Sequence, residues 1–255
     1  MKTALIINTV THDITRNLVM IKQMAHMAAD EGAYLVIFPE TAITGLINND
    51  DPAHDWCLGQ LIPGPFTDEL AQLARQRGLW LAIGLLERDH ARLYDSAVLL
   101  SPTGAIALKY RRIHPGWHGR HADPSFYGHG VDFTTAMTPF GKVAFSICGE
   151  YFDDDLARRL HEAKLDLLLN PMARCFPEGS YDQMRWDDEE LPAYAERVRL
   201  IGCVTLTTNY LADRDINGGA FGGATMISGR GTVLAQWPLG RPGMLMVDLV
   251  QVQNG

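Results

Sequence analysis

Apolar and polar positions alternate along the chain in a pattern that predicts strands and helices in turn. Residues 4–10 form an apolar strand. Asp13 then offers a helix N-cap, and Leu18, Ile21, Met24, Ala25 and Ala28 follow at helical spacing until Gly32 ends the run. Residues 33–38 (AYLVIF) are continuously apolar, the mark of a strand buried on both faces. A helix over 67–77, closed by Gly78, and a strand over 79–85 continue the alternation. Residues 93–100 and 105–110 then flank the turn Ser101-Pro102-Thr103-Gly104, which predicts a β-hairpin. Beyond a Gly/Pro/His-rich loop over 114–130, a buried strand over 142–147 ends at Cys148, and Asp153-Asp154-Asp155 opens a helix. A strand over 165–169, a helix over 192–202 and a strand over 204–208 come next, then hairpin-like segments over 223–228, 232–236 and 244–249. Mixed βα units and hairpins imply an α/β class with mixed sheets.

The 255 residues are enough for one large α/β core, and no repeat or Gly/Ser-rich linker marks a boundary, so a single domain over 1–255 is expected. A net charge of −8 disfavours nucleic-acid and anionic-membrane partners, which reward clustered Lys and Arg. The N-terminal apolar run is too short for a secretory signal, and no stretch approaches the roughly 18 apolar residues of a membrane span. Cys57, Cys148, Cys175 and Cys203 lack paired spacing, which argues for reduced thiols and a cytoplasmic setting.

Three polar residues stand out by position. Glu40 follows the strand over 33–38 directly, and Cys148 follows the strand over 142–147. Both lie at carboxyl ends of apolar strands, where open α/β folds place ligands. Lys109 is a lone ammonium at the end of the apolar run 105–108 and, if directed inward, must find an anion. A thiolate, a carboxylate and a cation together suit acyl transfer. The thiolate attacks a carbonyl or nitrile carbon, the carboxylate takes and returns the proton, and the ammonium with a backbone N–H steadies the oxyanion. The helix start beyond Gly149 would further favour the thiolate.

These residues sit in strings that resemble the nitrilase superfamily, the carbon–nitrogen hydrolases. Phe38-Pro39-Glu40-Thr41-Ala42-Ile43-Thr44-Gly45 looks like the family's F-P-E-x-x-x-T-G segment, Leu108-Lys109-Tyr110-Arg111-Arg112-Ile113-His114-Pro115 like its lysine segment, commonly K-Y-R-K-x-H, and Ser146-Ile147-Cys148-Gly149-Glu150 like its cysteine segment. Tyr94-Asp95-Ser96-Ala97 and Gly223-Ala224-Thr225-Met226-Ile227 add context, so the likeness runs from about residue 4 to 249. The resemblance implies a four-layer αββα sandwich, no metal or organic cofactor, a small-molecule substrate and frequent homo-oligomerisation. It assigns Glu40 as general base, Lys109 as oxyanion stabiliser and Cys148 as nucleophile. Where many members carry a further glutamate, the only acid between Arg112 and Gly130 is Asp123, one methylene shorter and a candidate assisting carboxylate. The family's Arg-Ala-x-Glu-Asn pattern reads here as Arg197-Val198-Arg199-Leu200-Ile201.

Trp117, Gly149, Glu150, Tyr151 and Arg174 are candidates for the substrate pocket. His114, His118, His121 and His129 raise the question of a metal, but Pro115, Gly116, Gly119 and Pro124 prevent the helix that would align them. The loop is expected to wall the pocket, with Trp117 and Tyr127 packed around it, and substrate choice to lie in residues 114–130 and 173–191. An amidase acting through a thioester is the expected activity. A nitrilase, a carbamoyl hydrolase, an idle binding homologue and a metallohydrolase built on the histidines are the alternatives.

Overall fold

Two six-stranded mixed sheets face each other and carry helices on their outer faces. The computed structural model describes residues 1–176, 181–216 and 219–249. The first sheet runs Gly243–Asp248, Lys2–Ile7, Leu35–Ile37, Trp80–Asp89, Arg92–Leu100 and Ile106–Arg111 in spatial order. The second runs Val233–Leu239, Gly222–Ile227, Val204–Asn209, Leu167–Met172, Gly141–Phe145 and Ala136–Thr138. Their central pairings are parallel and their outer ones antiparallel, with hairpins at one edge of the first sheet and the chain's two end strands, Lys2–Ile7 and Gly243–Asp248, paired at the other.

The four layers follow from the period of two along each strand. In Lys2–Ile7, Ala4 and Ile6 pack outward against Ile21, Ala25 and Ala28 of the helix Ile14–Asp30 and against Leu70 and Ala74 of the helix Pro65–Arg77. Leu5 and Ile7 point the other way, into the layer between the sheets, where they join Phe145, Leu169 and Leu206. On the far side, Ala144 and Leu168 pack against Leu156 and Leu160 of the helix Asp154–Glu162 and Val198 and Ile201 of the helix Leu191–Ile201. The order is therefore helix, sheet, sheet, helix, the αββα sandwich expected.

Helix ends obey the local signals. The Asp13 carboxylate accepts the Arg16 N–H at 3.0 Å, and the Asp153 carboxylate accepts that of Leu156 at 2.8 Å. The helix Pro65–Arg77 begins two residues before the sequence suggests, because Pro65 occupies its first turn and Thr67 Oγ1 accepts the Gly64 N–H. Within residues 33–38 the strand spans Leu35–Ile37, and Phe38 N still donates to the Ala82 carbonyl at 2.8 Å before the chain leaves the sheet at Pro39 for the turn that carries Glu40. Among the described residues, no helix is long and apolar enough to cross a membrane.

Candidate active site

Sheet pairing and strand alternation decide which polar side chains meet. In Ile106–Arg111, Leu108 and Tyr110 face the layer between the sheets, so Arg112, two positions on, faces it too. In the neighbouring strand, Asp95 shares that face with Ala97 and Leu99. The Arg112 N–H donates to the Asp95 carbonyl at 2.8 Å, which places the two side chains next to each other. Lys109 and Arg111 fall on the opposite face. There Lys109 Nζ donates to Glu87 Oε1 at 2.7 Å, and Arg111 and Ser96 bind the same carboxylate. Burial alone would raise the Glu87 pKa, but hydrogen bonds from Arg111, Lys109 and Ser96 outweigh it and hold the carboxyl below its ordinary value.

Lys109 is thus corrected. Its side chain is 36% exposed on the helix side of the first sheet, and the cation on the site's face is Arg112. The Arg112 side chain is only 5% exposed, and its Nη1 donates to both Glu40 Oε1 at 2.9 Å and Asp95 Oδ2 at 3.2 Å. Burial disfavours the charge on Arg112, but Glu40, the Cys148 sulfur and Asp95 together outweigh it, so the guanidinium stays protonated.

The backbone around Glu40 is held on three sides. Gly84 N donates to the Pro39 carbonyl at 3.0 Å and Ala42 N to the Gly84 carbonyl at 3.1 Å. Asn8 Nδ2 donates to the Ala42 carbonyl at 3.0 Å. A Cβ on Gly84 would stand 2.5 Å from the Glu40 Cα, so this close approach requires glycine. The Glu40 side chain is fully buried. Its carboxyl is pushed up to about 8, first by that burial and then by the charge of Cys148, against the pull of Arg112.

Cys148 sits on a sharp turn beyond Gly141–Phe145, with φ at +54°, a left-handed conformation that is costly for a residue with a Cβ. Four hydrogen bonds enforce it. Cys148 N donates to the Pro171 carbonyl at 2.9 Å, and Asn170 Nδ2 reaches the Cys148 and Ser146 carbonyls at 3.0 and 2.8 Å. Glu150 Oε2 accepts the Ile147 N–H at 2.7 Å. Gly149 N makes no hydrogen bond among the described residues, so a backbone donor beside the sulfur is free.

The sulfur opens into a cavity of about 470 Å³. Arg112, Cys148 and Gly149 line one part; Phe152, Arg174, Glu190 and Tyr194 line another. Asn209 clamps the Arg174 backbone from both sides, its Oδ1 accepting at 3.1 Å and its Nδ2 donating at 2.9 Å. The Arg174 guanidinium then forms a two-pronged pair with Glu190, with Nε to Oε2 at 3.0 Å. Arg174 and Gly149 therefore lie where the sequence reading put them. Part of the 173–191 segment, residues 177–180, lies outside the described residues.

Four other sequence candidates fall elsewhere. Asp123 is exposed and closes its own turn, accepting from the N–H and hydroxyl of Ser125, which hold its carboxyl below the usual range. Trp117 is 2% exposed and packs on Tyr127 in a separate apolar cluster with Leu58, Leu86 and Leu93. Glu150 is fully buried and acts as a tie. Besides Ile147, it accepts from the Tyr110 hydroxyl and from the Ile113 and His114 N–H groups, fastening the end of one sheet to the cysteine turn. Tyr151 is likewise fully buried, beneath Phe152 and against Tyr194. Within the histidine loop, His114 and Gly116 reach the cavity, whereas His118 and His129 stack and share a hydrogen bond at 2.7 Å.

With this geometry, residues 3–253 match the family model of the carbon-nitrogen hydrolases. The chain belongs to the carbon–nitrogen hydrolase family. It matches a carbon–nitrogen hydrolase from Helicobacter pylori G27 with a TM-score of 0.84 at 18% identity, over 99% of this chain and 91% of that one. A structure of an amidase from Nesterenkonia AN1, of the nitrilase superfamily, aligns with a TM-score of 0.78 at 20% identity, over 97% and 90%. At such identities the likeness speaks for the fold. In sequence, an omega-amidase NIT2 of Xenopus tropicalis is 27% identical over 218 residues, 82% of this chain and 74% of the relative. This carbon–nitrogen hydrolase chain spans about half the length of several other curated relatives. An aliphatic nitrilase of Sinorhizobium fredii (strain HH103), for example, is 31% identical over 56% of this chain and 50% of its own.

Proposed function

We propose that the protein hydrolyses a small amide to a carboxylic acid and ammonia or an amine, through a thioester on Cys148. The observation that carries the reading is the buried Arg112 guanidinium, which pins the Glu40 carboxylate within electrostatic reach of Cys148 at one end of the cavity. Glu40 takes the thiol proton as Sγ attacks the carbonyl carbon, then passes it to the leaving nitrogen as the C–N bond breaks. A water enters, gives a proton to Glu40 and adds to the thioester carbon. Collapse of that adduct releases the acid, and the proton returns to sulfur. Arg112 and the free Gly149 N–H stabilise the oxyanion of both tetrahedral adducts. A guanidinium keeps its protons at any working pH, so the proton traffic runs through Glu40 alone.

A small-molecule substrate suits the cavity of about 470 Å³, with Phe152 and Tyr194 on its apolar side and the Arg174–Glu190 pair on its polar side. The free state of Cys57, Cys148, Cys175 and Cys203 supports a reducing, cytoplasmic setting. A homo-oligomer without nucleic-acid or membrane partners is part of the same reading.

The test is ammonia release from matched amides, nitriles and carbamoyl compounds of equal acyl size. Amides are expected to turn over with the matched nitriles inert. Turnover of nitriles in preference to amides would move the assignment to a nitrilase, the name that several relatives carry. The pH profile supplies a second expectation. Glu40 must be ionised to act as base, so activity falls as pH falls through its pKa. The acidic limb of kcat/KM should be displaced from the ordinary 4.5 toward about 8. A limb at the ordinary glutamate value would contradict the buried base.

A further inference from the structure

Asp95 is absent from the reaction just described, yet it shares one guanidinium nitrogen with the proposed base. Three charged groups meet where water does not reach: Glu40 and Asp95 with no exposed surface, and Arg112 with 5%. Each carboxyl turns one oxygen to Arg112 Nη1. The other oxygens, Glu40 Oε2 and Asp95 Oδ1, are buried and make no hydrogen bond among the described residues, while both carboxyl groups converge on the same guanidinium nitrogen. Two carboxylates against one guanidinium would leave a net negative charge in a dry site, before any thiolate forms at Cys148. Such a charge is relieved by taking up a proton. One proton makes the group neutral and supplies the missing donor between the two acids.

We infer that in the active form, with Glu40 ionised, Asp95 keeps this proton and, as a neutral acid, donates a hydrogen bond to the Glu40 carboxylate, so that it is a positioning residue for the base. Distance favours this assignment over the reverse. Arg112 approaches Glu40 more closely than Asp95, 2.9 against 3.2 Å, as a charge-assisted contact to the ionised partner should. Burial and the neighbouring Glu40 charge also raise the Asp95 carboxyl well above its ordinary value. The surrounding ionisable groups leave room for no other compensation. Cys148, on the turn after Gly141–Phe145, Glu150 and Tyr210 lie within electrostatic reach of the cluster. Lys109 and Arg111 are committed to Glu87 on the opposite face of the sheet.

The inference rests on the hydrolase reading for the role of Glu40, but its first test does not. Infrared spectra of the whole protein, taken well above the pH of about 8 at which Glu40 ionises, should show the C=O stretch of a carboxylic acid. The band should shift when aspartate is carbon-13 labelled at its side-chain carboxyl and vanish in Asp95→Asn. A band that moves with labelled glutamate instead, or no acid band at all, overturns the assignment whether or not amides are substrates. Activity gives the second test. Asp95→Ala removes both donor and spacer and should lower kcat/KM about 100-fold through misplacement of Glu40. Asp95→Asn puts an amide N–H where the acid O–H was. It should recover kcat/KM to within about tenfold of wild type, the worth of one imperfect hydrogen bond, with the acidic limb in place. If Asp95 acts instead as an anion, Asn restores nothing beyond Ala, and the inference fails.

Discussion

Replacing Cys148 with alanine should lower amide turnover by about 10⁴-fold or more, the scale seen when a nucleophile is removed from a preorganised site. The fold should survive. The sulfur is only partly buried, and the four hydrogen bonds that shape its turn run through the backbone and through Asn170 and Glu150. Alanine carries the same Cβ at the same left-handed φ, so the strain is unchanged. Ammonia release and a thermal melt separate the two effects, and loss of activity with an unaltered melt is the expected pair. The other thiols make a useful contrast. Cys203 is buried with its thiol pushed up to about 12 by that burial, and Cys57 is exposed on a distant short helix end, so alanine at either should leave turnover near wild type.

Arg112→Met should be severe in both activity and stability. Removing one member of a buried ion pair strands its partners, here Glu40 and Asp95, at a cost of about 3–5 kcal/mol. Removing an oxyanion donor adds a loss of about 10²–10³-fold in kcat. Lys109→Met tests the same point from the other side. Its ammonium binds a carboxylate already held by Arg111 and Ser96, so kcat/KM should change by less than about threefold, as for a partly exposed pair. Urea unfolding beside steady-state kinetics measures both variants. A large activity loss at Lys109 with little at Arg112 would restore the assignment that the sequence strings suggest.

The sequence made the fold legible because burial and periodicity agree along most of the chain. Apolar runs such as 33–38 and 165–169 have helices or a facing sheet on both sides, and the Asp13 and Asp153 caps are local signals read without tertiary knowledge. Glu40 and Cys148 were legible for a related reason, each being a polar residue directly after a wholly apolar strand. Lys109 misleads because it stands inside the motif, whereas the period of two decides which face a side chain takes. Counting from the inward Leu108 and Tyr110 puts Arg112 on the catalytic face and Lys109 on the other. Asp95 carried a signal of its own, a single carboxylate within the apolar strand Arg92–Leu100, but its meaning depends on the register that sets it beside Arg112. Trp117 and Asp123 show the limit of loop reading. A Gly/Pro-rich segment has no period from which to tell an inward side chain from an exposed one, and here Trp117 turned into a separate core while Asp123 closed a surface turn. Glu150 and Tyr151 lie next to the nucleophile in sequence, yet a tight turn sends consecutive side chains in different directions, and both face the interior.

Covalent mapping during turnover addresses the central claim most directly. Wild-type protein saturated with a short amide, quenched in acid and digested, should yield one acylated peptide. It should contain Cys148 and lose the acyl group to hydroxylamine, as a thioester does. Acylation at Cys57, Cys175 or Cys203 instead, or amide hydrolysis that persists in Cys148→Ala, would contradict the account.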